Sequence, residues 1–198
     1  MHRSFATLIV AFSTVFTAAC AAPPKAELDA AASALESASA TADYAPEAFE
    51  AAQAANQALQ TELATQEGKL ALFRSYDQSR TLATAAQTAA DEASRAGQDE
   101  KRRVREETAA LIADAKAVLE EATTLFAQAP RGKGTEADLA ALQGDLDLVS
   151  TDLVAAEEQL GLERYREART HADGAYQTAM RVKTSIEQAI LATGRPRG

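Results

Sequence analysis

Few side chains in this sequence have the chemistry that catalysis or metal binding requires. Beyond residue 19 the chain contains one cysteine, Cys20, and one histidine, His171. A metal site or a nucleophile–base pair needs several such groups close together. His171 lies beside the apolar position Ala172, and we interpret it as a helix boundary residue that packs or faces solvent. The sequence therefore predicts no catalytic residue, no metal site and no cofactor.

Charged residues occur in clusters whose spacing does not converge on a pocket. Three acid pairs are sequence neighbours and would point in different directions on a helix: Glu106 with Glu107, Glu120 with Glu121, and Glu157 with Glu158. A basic cluster at residues 101–105 is bracketed by acids, with Asp99 and Arg103 at a four-residue spacing that favours an ion pair. We interpret both features as exposed, salt-bridged helix surface rather than as a hydrolase or anion-binding site.

The amino terminus has the pattern of a signal peptide. A short positively charged start ends at Arg3, and an apolar stretch runs from Phe5 to Ala19. This stretch is short for a hydrocarbon core about 30 Å thick, so we expect cleavage rather than a permanent membrane helix. We assign residues 1–19 to the signal peptide.

The placement of Cys20 after small residues resembles the lipobox of bacterial lipoproteins. The resemblance implies that Cys20 becomes the acylated first residue of the mature protein, and Ala21 after it implies sorting to the outer membrane, facing the periplasm. Two or more acyl chains anchor a protein stably in a bilayer. The alternative is ordinary cleavage near Ala19 or Ala21, which would leave a soluble periplasmic protein.

The composition favours packed helices over a deep pocket. Hydrophobic residues make up 46% of the 198 residues, but about a quarter of the chain is alanine and only 5% is aromatic. Alanine has the best helix propensity and little apolar area to bury. The formal charge is −9, and loss of Arg3 with the signal peptide leaves −10. This balance argues against nucleic acid as a partner.

Apolar residues recur at alternating three- and four-residue steps, which predicts an all-α fold of long antiparallel helices. A tether at residues 20–25 leads into a first helix, and Pro46 is the predicted first residue of a second. The predicted stripe of the second helix is Phe49, Ala52, Asn56, Leu59, Leu63, Gln66, Leu70 and Phe73.

Helical periodicity then runs from Tyr76 to Ala129. The sequence leaves open whether this segment is one helix of roughly 80 Å or two helices hinged near Gly97. Residues 131–134 predict a loop, and Thr135 is placed to cap the fourth helix. A fifth helix is expected from about Tyr165.

An internal repeat underlies this pattern. Tyr76, Arg80, Thr81 and Ala83 recur 89 residues later as Tyr165, Arg169, Thr170 and Ala172. We expect a first repeat at 26–98, a second at 99–192 and a disordered tail at 193–198. The repeats predict either two tandem three-helix, spectrin-like units sharing a long central helix, or one folded-over helical bundle.

Two segments carry a family resemblance: Ala-Glu-Leu-Asp-Ala-Ala at residues 26–31 and Asp-Tyr-Ala-Pro-Glu-Ala-Phe-Glu-Ala-Ala at 43–52. The region 26–95 resembles the alanine-rich domain-of-unknown-function family numbered 4398 of bacterial envelope lipoproteins. The Tyr-x-x-x-Arg pattern of the second repeat suggests a degenerate second copy. The resemblance implies no catalytic residues, and it includes peptidoglycan among the candidate partners because some members carry a peptidoglycan-binding module.

These features predict a non-enzymatic, membrane-anchored periplasmic lipoprotein that acts as an envelope structural or protein-docking element. The expected partners are the lipid bilayer, through acylated Cys20, and an unidentified periplasmic or envelope protein, with self-association as a further alternative. A tetratricopeptide-like adaptor that binds a peptide in a concave groove is the alternative function.

Overall fold

The computed structural model describes residues 22–132 and 135–193, and this part of the chain is helical without strands. Cys20, the predicted signal peptide, Lys133 and Gly134 of the predicted loop, and residues 194–198 of the predicted tail lie outside the described residues. The predicted all-α class is confirmed. The described residues form five α-helices: α1 Lys25–Ser39, α2 Pro46–Glu67, α3 Asp77–Ala127, α4 Glu136–Gly161 and α5 Tyr165–Thr193.

The central element is α3, a single helix of 51 residues that continues through Gly97. At 1.5 Å per residue it is about 77 Å long. Helices α1 and α2 pack on its first half, and α4 and α5 pack on its second half. The contacts therefore correspond to two three-helix units that share α3, the first of the two predicted arrangements.

Contacts between the helices define their directions. Glu27 near the start of α1 reaches Arg80 near the start of α3, whereas Ala38 near the end of α1 shares a core cluster with Ala93. Helix α1 is thus parallel to α3. Arg169 contacts Glu107 and, further along both helices, Lys183 contacts Glu121, so α5 is parallel to the second half of α3 in the same way. Because α1 and α5 lie along successive parts of α3, the described chain begins at one end of a rod and finishes at the other.

The internal repeat is visible in the buried positions. In the first half of α3 they are Ser79, Ala83, Ala86, Ala90, Ala93 and Gly97. A shift of 89 residues gives the buried positions of α5: Ala168, Ala172, Ala175, Ala179, Val182 and Ile186. Tyr76 and Tyr165, which precede and begin these helices, are both buried at the corners. The third helix of each unit, the first half of α3 in one and α5 in the other, therefore has the same pattern of buried positions.

The two cores differ in side-chain size. The buried apolar residues of the first unit are alanines apart from Leu59 and Tyr76. The second unit buries larger aliphatic side chains, namely Val104, Ile112, Leu146, Val149, Leu153, Val182 and Ile186. Burial of an aliphatic side chain stabilises by about 1.5–3 kcal/mol, so the second unit has the larger hydrophobic contribution.

The structure corrects two predictions at helix ends. Helix α2 begins at Pro46 as predicted but ends at Glu67, so Leu70 and Phe73 do not continue its stripe and are 76% and 69% exposed. Thr135 precedes α4, but its hydroxyl bonds Gly132 and not the first turn of the helix. Helix α2 ends where it does because Gly68, a poor helix former, follows its last residue.

Candidate functional site

His171 lies on the surface of α5 and is not part of a cluster of ligands. Its Nδ1 is 3.6 Å from Oδ1 of Asp152 on α4, and 42% of its side chain is exposed. Within residues 22–132 and 135–193, no group of three or more His, Cys, Asp or Glu side chains could hold a metal ion. His171 therefore lies partly exposed where α5 meets α4.

The acid pairs separate as their helical spacing predicts. One member of each pair contacts a cation of a neighbouring helix: Glu107 accepts a hydrogen bond from Arg169, Glu121 from Lys183, and Glu157 from Lys116. These bonds join α3 to α5 and to α4 along the surface of the second unit. The hydrogen bond between Lys183 and Glu121 raises the pKa of the lysine. These three acids therefore bridge neighbouring helices on the rod surface.

The basic cluster is salt-bridged, but with partners different from the predicted ones. Arg103 places Nε 2.8 Å and Nη2 2.6 Å from the two carboxylate oxygens of Glu100, and Nη1 2.6 Å from Glu107. Asp99 instead contacts Arg102 at 2.7 Å, so the predicted pair of Asp99 with Arg103 is wrong. A two-point contact from a planar guanidinium is stronger than a single ion pair, which explains the choice of Glu100. The hydrogen bond from Arg103 lowers the pKa of Glu100.

The two units meet in a region that we call the waist: residues 40–45, 97–108 and 163–166. Gly97 faces Thr41 there, and a Cβ on Gly97 would lie 2.4 Å from Oγ1 of Thr41 and 2.7 Å from its carbonyl oxygen. Only glycine allows α3 and the chain after α1 to come this close. The buried Thr41 hydroxyl has no hydrogen-bond partner among the described residues.

Polar and aromatic contacts connect the units across the waist. Arg166 of α5 donates to the carbonyl oxygen of Asp43, and its guanidinium lies 5.0 Å from the centre of the Tyr44 ring. The sequence does not reveal this contact, because the residues lie far apart in the chain and neither belongs to a periodic stripe. Cation–ring contacts at exposed sites contribute about 0.5–1 kcal/mol. The waist therefore holds the first unit against the start of α5.

Lys101 makes a second contact at the waist. Its Nζ donates to Glu163 at 2.8 Å and lies 5.6 Å from the centre of the Tyr165 ring. The hydrogen bond raises the pKa of Lys101 and lowers that of Glu163. Glu163 has φ 60°, a left-handed conformation that glycine usually adopts after a helix, and the backbone N–H groups of Glu163 and Arg164 close the last turn of α4.

Two concave surfaces on the described residues lie where helices meet. A cavity of about 120 Å³ lies near the last turn of α3, at one end of the rod. Most of its lining side chains are apolar, among them Pro130, Leu139, Leu142 and Ile186. A larger groove beside the waist, of about 460 Å³, is lined by Arg105, Glu157, Glu163 and Tyr165. This groove is open to solvent and combines the charged side chains with an aromatic ring.

Comparison with protein-family models, with curated proteins and with solved structures found no match to this chain. None of the helices in the described residues has the length and apolar character needed to cross a membrane.

Proposed function

We propose that this chain is an envelope lipoprotein, acylated at Cys20 and sorted to the outer membrane, that acts as a rigid periplasmic spacer or docking rod without enzymatic activity. The observation that carries the proposal is the position of the amino-terminal segment. The described chain begins three residues before α1, at one end of a rod about 77 Å long. An anchor at Cys20 would hold that end at the bilayer and present the other end to the periplasm.

The character of the surface supports a docking or spacing role. Charged groups bridge neighbouring helices along the rod, as in the contacts of Arg169 with Glu107 and of Arg181 with Asp145. Such contacts stiffen a surface without forming an enclosed reaction site. The proposal includes membership of residues 26–95 in the alanine-rich lipoprotein family numbered 4398, which the segments at 26–31 and 43–52 suggest. The tetratricopeptide-like alternative has less support, because that architecture stacks separate short helix pairs and α3 spans both units here.

Acylation can be tested in the native host. The full chain and the Cys20→Ser variant would be expressed during labelling with a clickable fatty acid, and the amino-terminal peptide would be examined by mass spectrometry. We expect label and an acylated Cys20 in the wild type and no label in the variant. An unmodified peptide that begins near Ala19 or Ala21 would instead establish the soluble periplasmic alternative.

Docking can be tested by photo-crosslinking in intact cells. A crosslinking amino acid would replace Thr65, exposed on α2, or Val154, 65% exposed on α4. A docking rod predicts that the same envelope protein is captured reproducibly from one position and not from the other. Recovery of cell-wall fragments would redirect the proposal towards peptidoglycan, and absence of any adduct from both positions would contradict a docking role.

A further inference from the structure

The connection between α2 and α3 exposes the densest apolar cluster among the described residues. We call this segment, residues 68–76, the base loop. Leu70, Leu72 and Phe73 are 76%, 78% and 69% exposed, whereas the other large exposed apolar residues are isolated from one another along the chain. Three adjacent apolar side chains in water are unfavourable, and a cluster of this kind usually marks a contact surface.

Hydrogen bonds hold the base loop in this conformation. Arg74 donates from Nη2 to the carbonyl oxygen of Glu67 at 2.9 Å and from Nε to that of Lys69 at 3.0 Å. The backbone N–H of Ser75 donates to Oε1 of the buried Gln66 at 3.1 Å. A 3₁₀ turn at Ala71–Phe73 lies between these contacts. The apolar side chains are therefore presented by a preorganised loop, which lowers the entropy lost on binding.

The base loop lies at the end of the rod where the described chain begins. It leads directly into the first turn of α3, and Arg80 in that turn contacts Glu27 in the first turn of α1. Lys25 follows Cys20 by five positions, a span of at most about 18 Å when extended. An acyl chain on Cys20 would therefore keep this end of the rod within reach of a bilayer surface.

The charges around the apolar cluster fit lipid headgroups. Lys69 and Arg74 flank residues 70–73, and the nearest acids in the sequence, Glu67 and Asp77, lie outside these two cations, so the positive charges are the ones next to the apolar side chains. A segment with apolar side chains at its tip and cations on either side suits the membrane interface, where cations contact phosphates and apolar groups enter the acyl region.

We propose that the base loop is a membrane-insertion site: Leu70, Leu72 and Phe73 enter the interfacial region of a phospholipid bilayer. Lys69 contacts its phosphates, and so does Nη1 of Arg74, whose Nε and Nη2 keep their bonds to the loop backbone. This inference rests on the proposed function, because the acyl anchor at Cys20 is what would bring this end of the rod to a membrane. The loop would give the rod a second point of attachment beside the acyl chains. With two points of attachment, the tilt of the rod relative to the bilayer is restricted.

Insertion can be measured with a fluorescent label on the processed full chain, purified from membranes and reconstituted in vesicles of phosphatidylethanolamine and phosphatidylglycerol. Ala71→Cys, carrying a polarity-sensitive fluorophore, labels the base loop and keeps all three apolar side chains. Ala127→Cys, an exposed alanine at the other end of α3, is the matched control. We expect a blue-shifted emission and quenching by nitroxide-labelled lipid for Ala71→Cys and neither change for Ala127→Cys.

A second variant tests the side chains themselves. Leu70→Ser, Leu72→Ser and Phe73→Ser, combined with Ala71→Cys, should reduce the quenching to the level of the Ala127→Cys control. The helical circular dichroism should be unchanged, because the replaced side chains are exposed. Equal quenching with and without the three serines would overturn the proposal. A blue shift without lipid quenching would also overturn it, since it would show that a second protein copy covers the loop.

The fluorescence test of insertion and the test of acylation can give different answers. Mass spectrometry of the amino-terminal peptide reports acylation of Cys20 independently of the fluorophore. An acylated Cys20 with an unquenched loop label would overturn the insertion site alone. A quenched loop label on a chain without acyl groups would support insertion and overturn the acylation proposal.

Discussion

Gly97 shows how one missing side chain determines the contact between two elements. Its periodic position and low helix propensity indicate a weak point in a long helix. The structure instead shows an uninterrupted helix in which Gly97 makes room for Thr41. Sequence reasoning could identify the glycine but not its neighbour, because Thr41 lies in a corner outside any apolar stripe.

Gly97→Ala should destabilise the fold. A methyl group there would meet both the side chain and the backbone of Thr41, and overpacking of this kind costs roughly 1–3 kcal/mol. Gly144→Ala on α4 is the matched control, because its Cβ would meet no atom within 4 Å. The control should gain about 0.5–1 kcal/mol from helix propensity. Urea denaturation of both variants measures the difference, and equal effects would contradict the close approach at the waist.

Ser79→Ala should stabilise the protein by about 1 kcal/mol, because it removes a buried hydroxyl that lacks a partner. The Ser79 side chain is fully buried, and its Oγ has no hydrogen bond among the described residues. The equivalent position in the second repeat is Ala168, which shows that the seam accepts alanine. Ser37→Ala, where the exposed hydroxyl bonds a backbone carbonyl, is the control and should change stability by less than about 0.5 kcal/mol. A destabilised Ser79→Ala in thermal unfolding would indicate a hidden partner for the hydroxyl.

Helix α2 shows where periodicity predicts an element and where it fails. The apolar stripe identified the helix and its buried Leu59, but it continued through Leu70 and Phe73, which are exposed beyond the end of the helix. Spacing alone cannot distinguish a core position from a surface loop that happens to continue the period. Gly68 was the available signal for the helix end, and the hydrogen bonds from Arg74 that complete the turn are not visible in the sequence.

Leu59→Ala should reduce stability by roughly 2–5 kcal/mol, since it opens a cavity at the largest fully buried side chain of the first unit. Leu70→Ala makes the same chemical change in the same predicted stripe at an exposed position, and it should have an effect within about 0.5 kcal/mol. Chemical denaturation monitored by circular dichroism compares the two. Similar losses would mean that the base loop packs against the first unit.

At the scale of the whole molecule, the repeat was the strongest sequence signal. The spacing of 89 residues carries the buried positions of the first half of α3 onto α5, so the presence of two units could be predicted from the sequence. The contacts at the waist could not be predicted, because neither Arg166 nor Tyr44 has an equivalent residue in the other repeat. The exposed apolar residues of the base loop could not be predicted either, since their exposure depends on where α2 ends.

The two units should differ in local stability. We expect native-state hydrogen exchange to be faster in α2 than in α4, because the first unit buries mostly alanine whereas the second buries leucine, isoleucine and valine. Helices of 22 and 26 residues at equivalent positions of the repeat make a fair comparison. Exchange can be followed by mass spectrometry of peptides from each helix. Slower exchange in α2 would show that the waist contacts outweigh the difference in core size.

The placement of the first and last described residues at opposite ends of the rod has a mechanical consequence. A pulling force applied between them would load the two units in series, so that each unit carries the same tension. The alanine-cored unit, which lies next to the amino terminus, should then extend first while the aliphatic-cored unit stays folded. Extension under load would begin at the end that we propose to be attached to the membrane.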